Sequence, residues 1–498
     1  MRGLAVAVLV SIALMAGCTS SSEPESGLSS VSAGAPRDPS SARVVEVRAY
    51  GQTLVAQVYP IVSVDDRAVL TVDYSVPEDS ESSSSLSVGD LMKDSPYSGT
   101  SGVRLVDLKG SRVWEVGSVG DSWFRTTTLD PLTVSPGQSK TSQTFLGPVD
   151  ADSVDVMLPL VGLVPDVPVV EGDATTPDVA SLDITDPFVL PAPYTLEVYV
   201  ETFDGRASAR QAGDQQTVTL ASDVLFASDD STLSAEASAR VDATAGQIAE
   251  VATGGEVRVV GHTDDVDTDE YNFALSTRRA QSVADRLSVT LGSSFTFVVE
   301  GKGKTEPAVD GTDAAARAAN RRVEIGFSAT EAVQLAPEGQ TVPESTGPTV
   351  SGHGQVEYTL ESDVLGPATM RVAVPSVLRR DGYLVGTVEI TLVAGVAQDY
   401  ILGDYPDGHH KQDYRWTSEY RGAWDVTLLG PSGRVYPVQY RSDPGSPEVT
   451  ILADRFSRSP EPGESFTYTV IWPDTGQDKV VIDVRNRFRI TDIPVEER

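Results

Sequence analysis

The sequence predicts a multidomain chain in which a central α/β sandwich is flanked by two related all-β sandwiches. Three observations predict it. The length, 498 residues with 40% hydrophobic, exceeds one ordinary domain and supplies enough apolar material for several cores. Both flanks carry runs of period-two alternation, such as Val69 to Val76 and Gly386 to Leu392, punctuated by turn residues. Between them the apolar spacing changes to the helical period and alternates with short strand-like runs. The 42 glycines and 31 prolines beside 7% aromatic residues agree with many turns and short strands.

The chain begins with Arg2, an apolar run from Leu4 to Leu14 broken only by Ser11, and Met15-Ala16-Gly17-Cys18. This is the pattern of a signal peptide, too short to stay as a membrane span. Cys18 is the single cysteine, which excludes an internal disulfide. The run resembles the bacterial lipoprotein signal, with Met15 where leucine is usual. The resemblance implies cleavage before Cys18 and acylation of that residue. Several acyl chains would anchor the chain stably, at about 0.8 kcal/mol per buried methylene. Residues 19–43, rich in Ser, Pro, Gly and Glu, read as a disordered tether.

Residues 44–172 and 355–498 are the expected sandwiches, and a shared spacing relates them. Pro136-Gly137-Gln138-Ser139 and Pro462-Gly463-Glu464-Ser465 lie 326 positions apart, as do Asp166-Val167-Pro168-Val169 and Asp492-Ile493-Pro494-Val495. Upstream, the Gly110-Ser111 turn before Val113-Trp114 resembles Ser432-Gly433 before Val435-Tyr436. Both copies read as antiparallel, loosely immunoglobulin-like sandwiches. Residues 173–215 read as a linker with a lead-in strand, and 329–354 as a second linker.

Residues 216–328 have the alternating rhythm. Ala237, Val241, Ala245, Ile248 and Val251 sit at helical spacing within Ser234 to Val251, and Glu256 to Val260 is a short strand. Glu270 to Leu291 is a second amphipathic helix and Phe295 to Val299 a strand. Asp313 to Asn320 is a short helix and Arg322 to Phe327 a closing strand. Five blocks then carry a family likeness: Val224-Leu225-Phe226 with Asp229, Gly261-His262-Thr263-Asp264, Asn272 to Ala280, Gly301-Lys302-Gly303 with Pro307, and Asn320-Arg321-Arg322-Val323-Glu324-Ile325. In this order and spacing they resemble OmpA-like C-terminal domains, similar to peptidoglycan-associated lipoproteins, with a βαβα(α)β arrangement. The resemblance covers about a quarter of the chain. It implies non-covalent binding of the diaminopimelate in cell-wall stem peptides.

Residue chemistry fits that expectation. A free amino-acid terminus carries an ammonium and a carboxylate, so its receptor needs one anion and one planar fork donor close together. Asp264 and Arg279 are the obvious pair. At about 100° per helical residue, Arg279 falls within the inward stripe of Leu275, Val283 and Leu287, while Arg278 points away. Asn272, two turns earlier at nearly the same azimuth, is expected to line the same groove. The resemblance assigns Asp264 to the ammonium and Arg279 to the carboxylate, with Thr263, Asn272 and Asp229 in support and Asn320 and Arg321 nearby. The competing structural readings are an Asp264–Arg279 ion pair that merely orders the helix, and an Asn320-Arg321 step that caps and braces backbone. Three positions depart from the family pattern: Asp267 where glycine is usual, Ser228 where an aromatic is common, and Ala227 where an acid is common. The first predicts a strained positive-φ turn.

Other functions find little support. A formal charge of −34, from 72 acidic against 38 basic residues, opposes binding to a polyphosphate, so nucleic acid is not an expected partner. Asp265-x-Asp267-x-Asp269 opens like a calcium loop, but Glu270 and Ser276 occupy the required glycine and bidentate glutamate places. The four histidines have no zinc spacing. No nucleophile elbow, metalloprotease helix motif or phosphate-binding loop is found, so neither an enzyme, a metal nor a cofactor is expected. The reading is a non-catalytic, lipid-anchored protein of the exported face of the cell envelope, gripping peptidoglycan while the sandwiches extend from the central domain. In it the first sandwich is a spacer and the last is free to recruit a protein. The alternative is an adhesion or assembly scaffold in which the sandwiches bind a protein partner and the central domain only localises it.

Overall fold

A computed structural model describes residues 39–80, 84–91, 102–119, 132–172, 188–332, 335, 341–361, 365–396, 423, 425–431, 433–442, 449–454 and 460–497. The signal segment, Cys18 and the tether as far as residue 38 lie outside the described residues. The chain is multidomain and mostly β-sheet.

The first β module contains β1 (Arg43–Ala49), β2 (Gln52–Val58), β3 (Ile61–Val64), β4 (Arg67–Ser75), β5 (Arg104–Asp107), β6 (Arg112–Glu115), β7 (Ser139–Leu146), β8 (Ser153–Leu158) and β9 (Gly162–Glu171). β4, rich in β-branched and aromatic residues, is buried along most of its length and pairs antiparallel with β2, β3 and β7. The end of β9 lies parallel to β3, and β9, β8, β5 and β6 follow one another antiparallel.

The chain then forms three strands, β10 (Tyr194–Glu201), β11 (Ala207–Ala212) and β12 (Gln215–Ala221). Within 173–215, read as a linker with a lead-in strand, the described residues carry β10 and β11; Tyr194, Leu196, Val198 and Val200 alternate as a strand should. Next come α1 (Ala235–Val251), β13 (Gly255–His262), α2 (Asp269–Leu291), β14 (Phe295–Gly303), α3 (Ala314–Asn320) and β15 (Arg322–Ser328). The side chains of Ser234, Thr268 and Asp313 cap the three helices by accepting from backbone N–H groups of their first turns. The sheet runs β10-β11-β12-β15-β13-β14, with only β13 and β14 parallel. Ala237, Val241, Ala245 and Ile248 of α1 and Ala280, Val283, Ala284 and Leu287 of α2 join Val257, Val259, Val323 and Ile325 in one apolar cluster. The helices thus cover the sheet.

The second β module contains β16 (Thr349–Ser351), β17 (Val356–Leu360), β18 (Ala368–Arg380), β19 (Tyr383–Ala394), β20 (Thr427–Gly430), β21 (Gly433–Val435), β22 (Ser465–Pro473), β23 (Lys479–Val484) and β24 (Phe488–Glu497). β16 lies inside the segment read as the second linker and pairs parallel to β24. The pairing repeats the first module. The end of β24 is parallel to β18, as that of β9 is to β3, and β24, β23, β20 and β21 are antiparallel in the same order. Ser139 and Ser465, Ser153 and Lys479, and Gly162 and Phe488 begin corresponding strands, each pair 326 positions apart.

The two β modules do not extend separately from the α/β domain. They pack on each other. Val106, Val113 and Met157 of the first share an apolar cluster with Tyr383, Val438, Tyr440 and Ile471 of the second. The Tyr50 ring stacks on Phe466 at 5.8 Å, and Arg380 of the second module bonds Asp155 at 2.9 Å and Asp166 at 2.8 Å in the first. Arg104 donates to the Tyr440 hydroxyl at 2.7 Å, which itself donates to Glu115 at 2.6 Å. By pairing register, which shifts the sequence match of Val113 with Val435 by one place, the second module carries Arg434, Asp483 and Arg489 where the first has Val113, Met157 and Leu163, a buried ion triad with Asp483 held by both arginines at 2.7 Å. Arg489 also donates to the carbonyl of Pro343, in the segment that precedes this module.

β10 joins all three parts. One edge pairs with β11. Against its other neighbours, Tyr194 and Thr195 pair with β6, Leu196 and Glu197 with Tyr440 and Gln439, and Val200 and Glu201 with β21. Among the described residues no helix is long and apolar enough to cross a membrane.

Two glycines set how closely α2 approaches the sheet. A Cβ at Gly261 would overlap the Ser276 carbonyl, and one at Gly301 the Thr277 side chain. Gly261→Ala is therefore expected to cost about 1–3 kcal/mol, as overpacking does. A denaturant titration of the full chain would show it as a lower midpoint; an unchanged midpoint would contradict the close approach.

Candidate functional site

The site lies where the end of β13, the start of α2, the loop before α1 and the end of α3 converge. Thr263 and Asp264 continue β13. Thr263 is buried, its N–H donates to the Gly303 carbonyl at 2.9 Å, and its hydroxyl donates to the Asp264 carbonyl at 3.1 Å. These bonds fix the backbone from which Asp264 projects. The Asp264 carboxylate accepts the Val266 N–H at 3.2 Å through one oxygen and Arg321 Nη1 at 2.8 Å through the other.

Arg321, at the C-cap of α3, spans two carboxylates. Its Nε and Nη2 donate to the two oxygens of Asp223 at 2.8 and 2.7 Å while Nη1 holds Asp264. The fork to Asp223 pulls that carboxyl below its ordinary range, and the same bond, with a further one to Asp264, raises the arginine.

Arg279 is buried on the inner face of α2, whereas Arg278 is exposed. Its Nε donates to the Asp230 carbonyl at 2.9 Å and its Nη2 to that of Ala227 at 3.3 Å. The guanidinium carbon stands 5.3 Å from the Phe226 ring centroid, within cation–π range. Burial lowers its pKa, while the charges of Asp223 and Asp229 act in the opposite direction and that of Arg321 adds to the lowering. Asp264 and Arg279 are therefore not bonded to one another. Asp264 is paired with Arg321, and the Arg279 contacts are carbonyls and a ring.

Asn272 and Asn320 are both bonded to backbone beside the site. Asn272 is buried and its amide donates to the Val266 carbonyl, closing the loop between Asp264 and α2. Asn320 is buried and brackets Val309, accepting its N–H at 2.9 Å and donating to its carbonyl at 2.8 Å. Both amides hold backbone in place. Asp229 is at the rim, with φ of 58° and its carboxylate accepting from the Tyr271 hydroxyl at 3.3 Å.

Asp267 does take a positive φ, 70°, where glycine is usual. Lys304 steadies that turn, donating to the Asp267 carbonyl and pairing with Asp269, each at 3.0 Å. Asp265 is held by Arg317 at 2.6 and 3.1 Å. The first and last carboxylates of the would-be calcium loop are thus engaged by cations, and among the described residues no group of three or more metal-ligating side chains gathers.

Sequence reasoning missed Asp223, which stands 98 positions from Arg321 and upstream of the motif blocks. It also missed the Ala227 and Asp230 carbonyls, since backbone acceptors leave no residue-type signature. The signal for Asp223 was an acidic residue two places before Leu225-Phe226, on the short turn Ser222–Val224.

The role of Asn320 has a direct test. Asn320→Ala leaves the buried Val309 N–H without its partner, so a loss of about 1–3 kcal/mol is expected in thermal or denaturant unfolding. A change within a few tenths of a kcal/mol would mean that the amide is not a brace.

Comparison with known proteins bears on this same segment. The OmpA family profile matches residues 225–321. The chain is similar to the peptidoglycan-associated lipoprotein of Legionella pneumophila, 42% identical over 106 residues, which are 21% of this chain and 60% of that protein. It is also similar to outer membrane protein A of Bordetella avium, 39% identical over 108 residues, 22% of this chain and 55% of the relative. The chain thus spans little more than half the length of these relatives. Among solved structures, the cell wall anchor of the T6SS from Pseudomonas aeruginosa is 38% identical with a TM-score of 0.23, covering 25% of this chain and 88% of that one. Residues 225–321 are an OmpA family domain.

Proposed function

We propose that this chain is a non-catalytic, lipid-anchored cell-envelope protein that binds peptidoglycan non-covalently and so ties a membrane to the cell wall. The observation that carries the reading is Arg279, a buried guanidinium with no carboxylate within 4 Å among the described residues, in the field of Asp223 and of the Arg321 that bridges Asp223 to Asp264. A buried guanidinium held only by carbonyls and a ring can donate to an incoming carboxylate. Asp264, with 16% of its side chain exposed, retains room for an ammonium beside Arg321. Together they suit the zwitterionic end of diaminopimelate in a stem peptide. The relative named a peptidoglycan-associated lipoprotein supports the ligand class.

In this reading Thr263 and Asn272 shape the Asp264 loop, Asn320 shapes the loop before α3, and Asp229, Arg321 and Tyr271 form the rim. The domain division is 44–172, 216–328 and 355–498, with β10 to β12 as a structured connection, and the flanking modules are two related, immunoglobulin-like sandwiches. Acylated Cys18 supplies the membrane anchor, and residues 19–38 lead from it to the folded part.

Retention on insoluble wall sacculi tests the binding. Asp264→Asn and Arg279→Ala should each reduce it by at least about tenfold, as removal of one member of a buried charged contact does. Retention equal to wild type in both variants would remove the reading. Fractionation tests the anchor: Cys18→Ser should move the chain from the membrane to the soluble fraction, and persistence in the membrane would exclude acylation there.

A further inference from the structure

Asp223 takes no part in the pairing of Asp264 with Arg279 expected from the sequence, yet the geometry places it behind both. Its carboxylate receives Nε and Nη2 of Arg321 in a two-pronged bond. That bond fixes the guanidinium plane and leaves Nη1 as the group aimed at Asp264, 2.8 Å away. The turn bearing Asp223 is itself pinned. The Ser222 N–H donates to the Arg321 carbonyl, and the N–H groups of Leu225 and Phe226 return to the Ser222 carbonyl. Phe226 and Ala227, which follow at once, supply the ring and one carbonyl around Arg279.

We propose that Asp223 is a positioning residue of the ligand site. By keeping the fork of Arg321 on itself it stops that fork from closing on Asp264, so that Asp264 stays open to an ammonium and Arg279 receives the carboxylate. The inference rests on the zwitterion reading above and adds to it the origin of the ammonium preference. With Asp223 neutralised, Arg321 turns both prongs onto Asp264 and covers the ammonium acceptor. The positive field at Arg279 then loses its largest offset among neighbouring charges. Ammonium recognition weakens while carboxylate recognition is kept.

The test compares two probes by calorimetric titration of the full chain. One is the stem tripeptide Ala-γ-Glu-diaminopimelate; the other is its analogue ending in 2-aminopimelate, which keeps the terminal carboxylate and lacks the terminal ammonium. Wild type should prefer the first by about tenfold or more, the scale of one charge-assisted contact. Asp223→Asn should bring the ratio near one mainly by weakening the first probe, and Asp223→Glu should restore most of it. A purely structural role would lower the melting temperature and weaken both probes alike. An unchanged ratio in a folded Asp223→Asn chain overturns the proposal. Should that variant fail to fold, Arg321→Lys, which has no second prong to close on Asp264, must keep the preference, and a ratio near one there overturns the proposal equally. If wild type binds neither probe, the zwitterion reading itself falls.

Discussion

Strand β10 is the constraint on which the architecture depends. Its backbone is bonded to β11 along one edge and, in three short stretches, to β6, to Gln439–Tyr440 and to β21 along the other. A strand with partners on both sides has its N–H and C=O groups satisfied without water and cannot move without breaking several bonds together. The α/β sheet is thereby a continuation of the packed β modules. Their side chains reinforce the junction: Tyr194 stacks on Tyr440 at 5.7 Å, and Tyr436 donates to Glu201 at 3.0 Å. The placement of the candidate site follows from this outward, through β12 and β15 to β13, and from β13 through the close glycine contact to α2 and Arg279.

Within the site the charges divide into a satisfied group and an unsatisfied one. Arg321 is shared between Asp223 and Asp264, and Arg317 is committed to Asp265. Arg279 lacks such an anion. At position 227 this chain has alanine and offers the guanidinium only a carbonyl. Burying an arginine against carbonyls and a ring costs solvation that those dipoles offset incompletely, which is the physical origin of its lowered pKa.

The parts of the fold legible in the sequence were those with a local cause. The helices at Ala235–Val251 and Asp269–Leu291 begin within a residue of the expected starts because Ser234 and Thr268 cap runs whose apolar residues recur at helical spacing. The burial of Arg279 and exposure of Arg278 follow from azimuth alone. What depended on distant partners was not legible. The family resemblance places Arg321 nearby, but its bond to Asp264 across 57 positions is one about which periodicity carries no information. Asn272 has the azimuth of the groove, but its amide is drawn to the Val266 carbonyl, an acceptor that residue types do not reveal. A lead-in strand was expected before residue 216, but its pairing with both β modules was not legible, because Pro187, Pro191 and Pro193 give the region the composition of a linker.

The duplicated β modules share strand order and spacing, but one face has diverged in chemistry. In the first copy Val113, Met157 and Leu163 meet the oily flank of its neighbour; in the second, Arg434, Asp483 and Arg489 occupy the same places beneath Pro343. The tandem therefore has a handed order. Writing the second copy twice would press three ionised groups against Val438 and Ile471, and writing the first copy twice would leave a greasy surface bare at the end of the row.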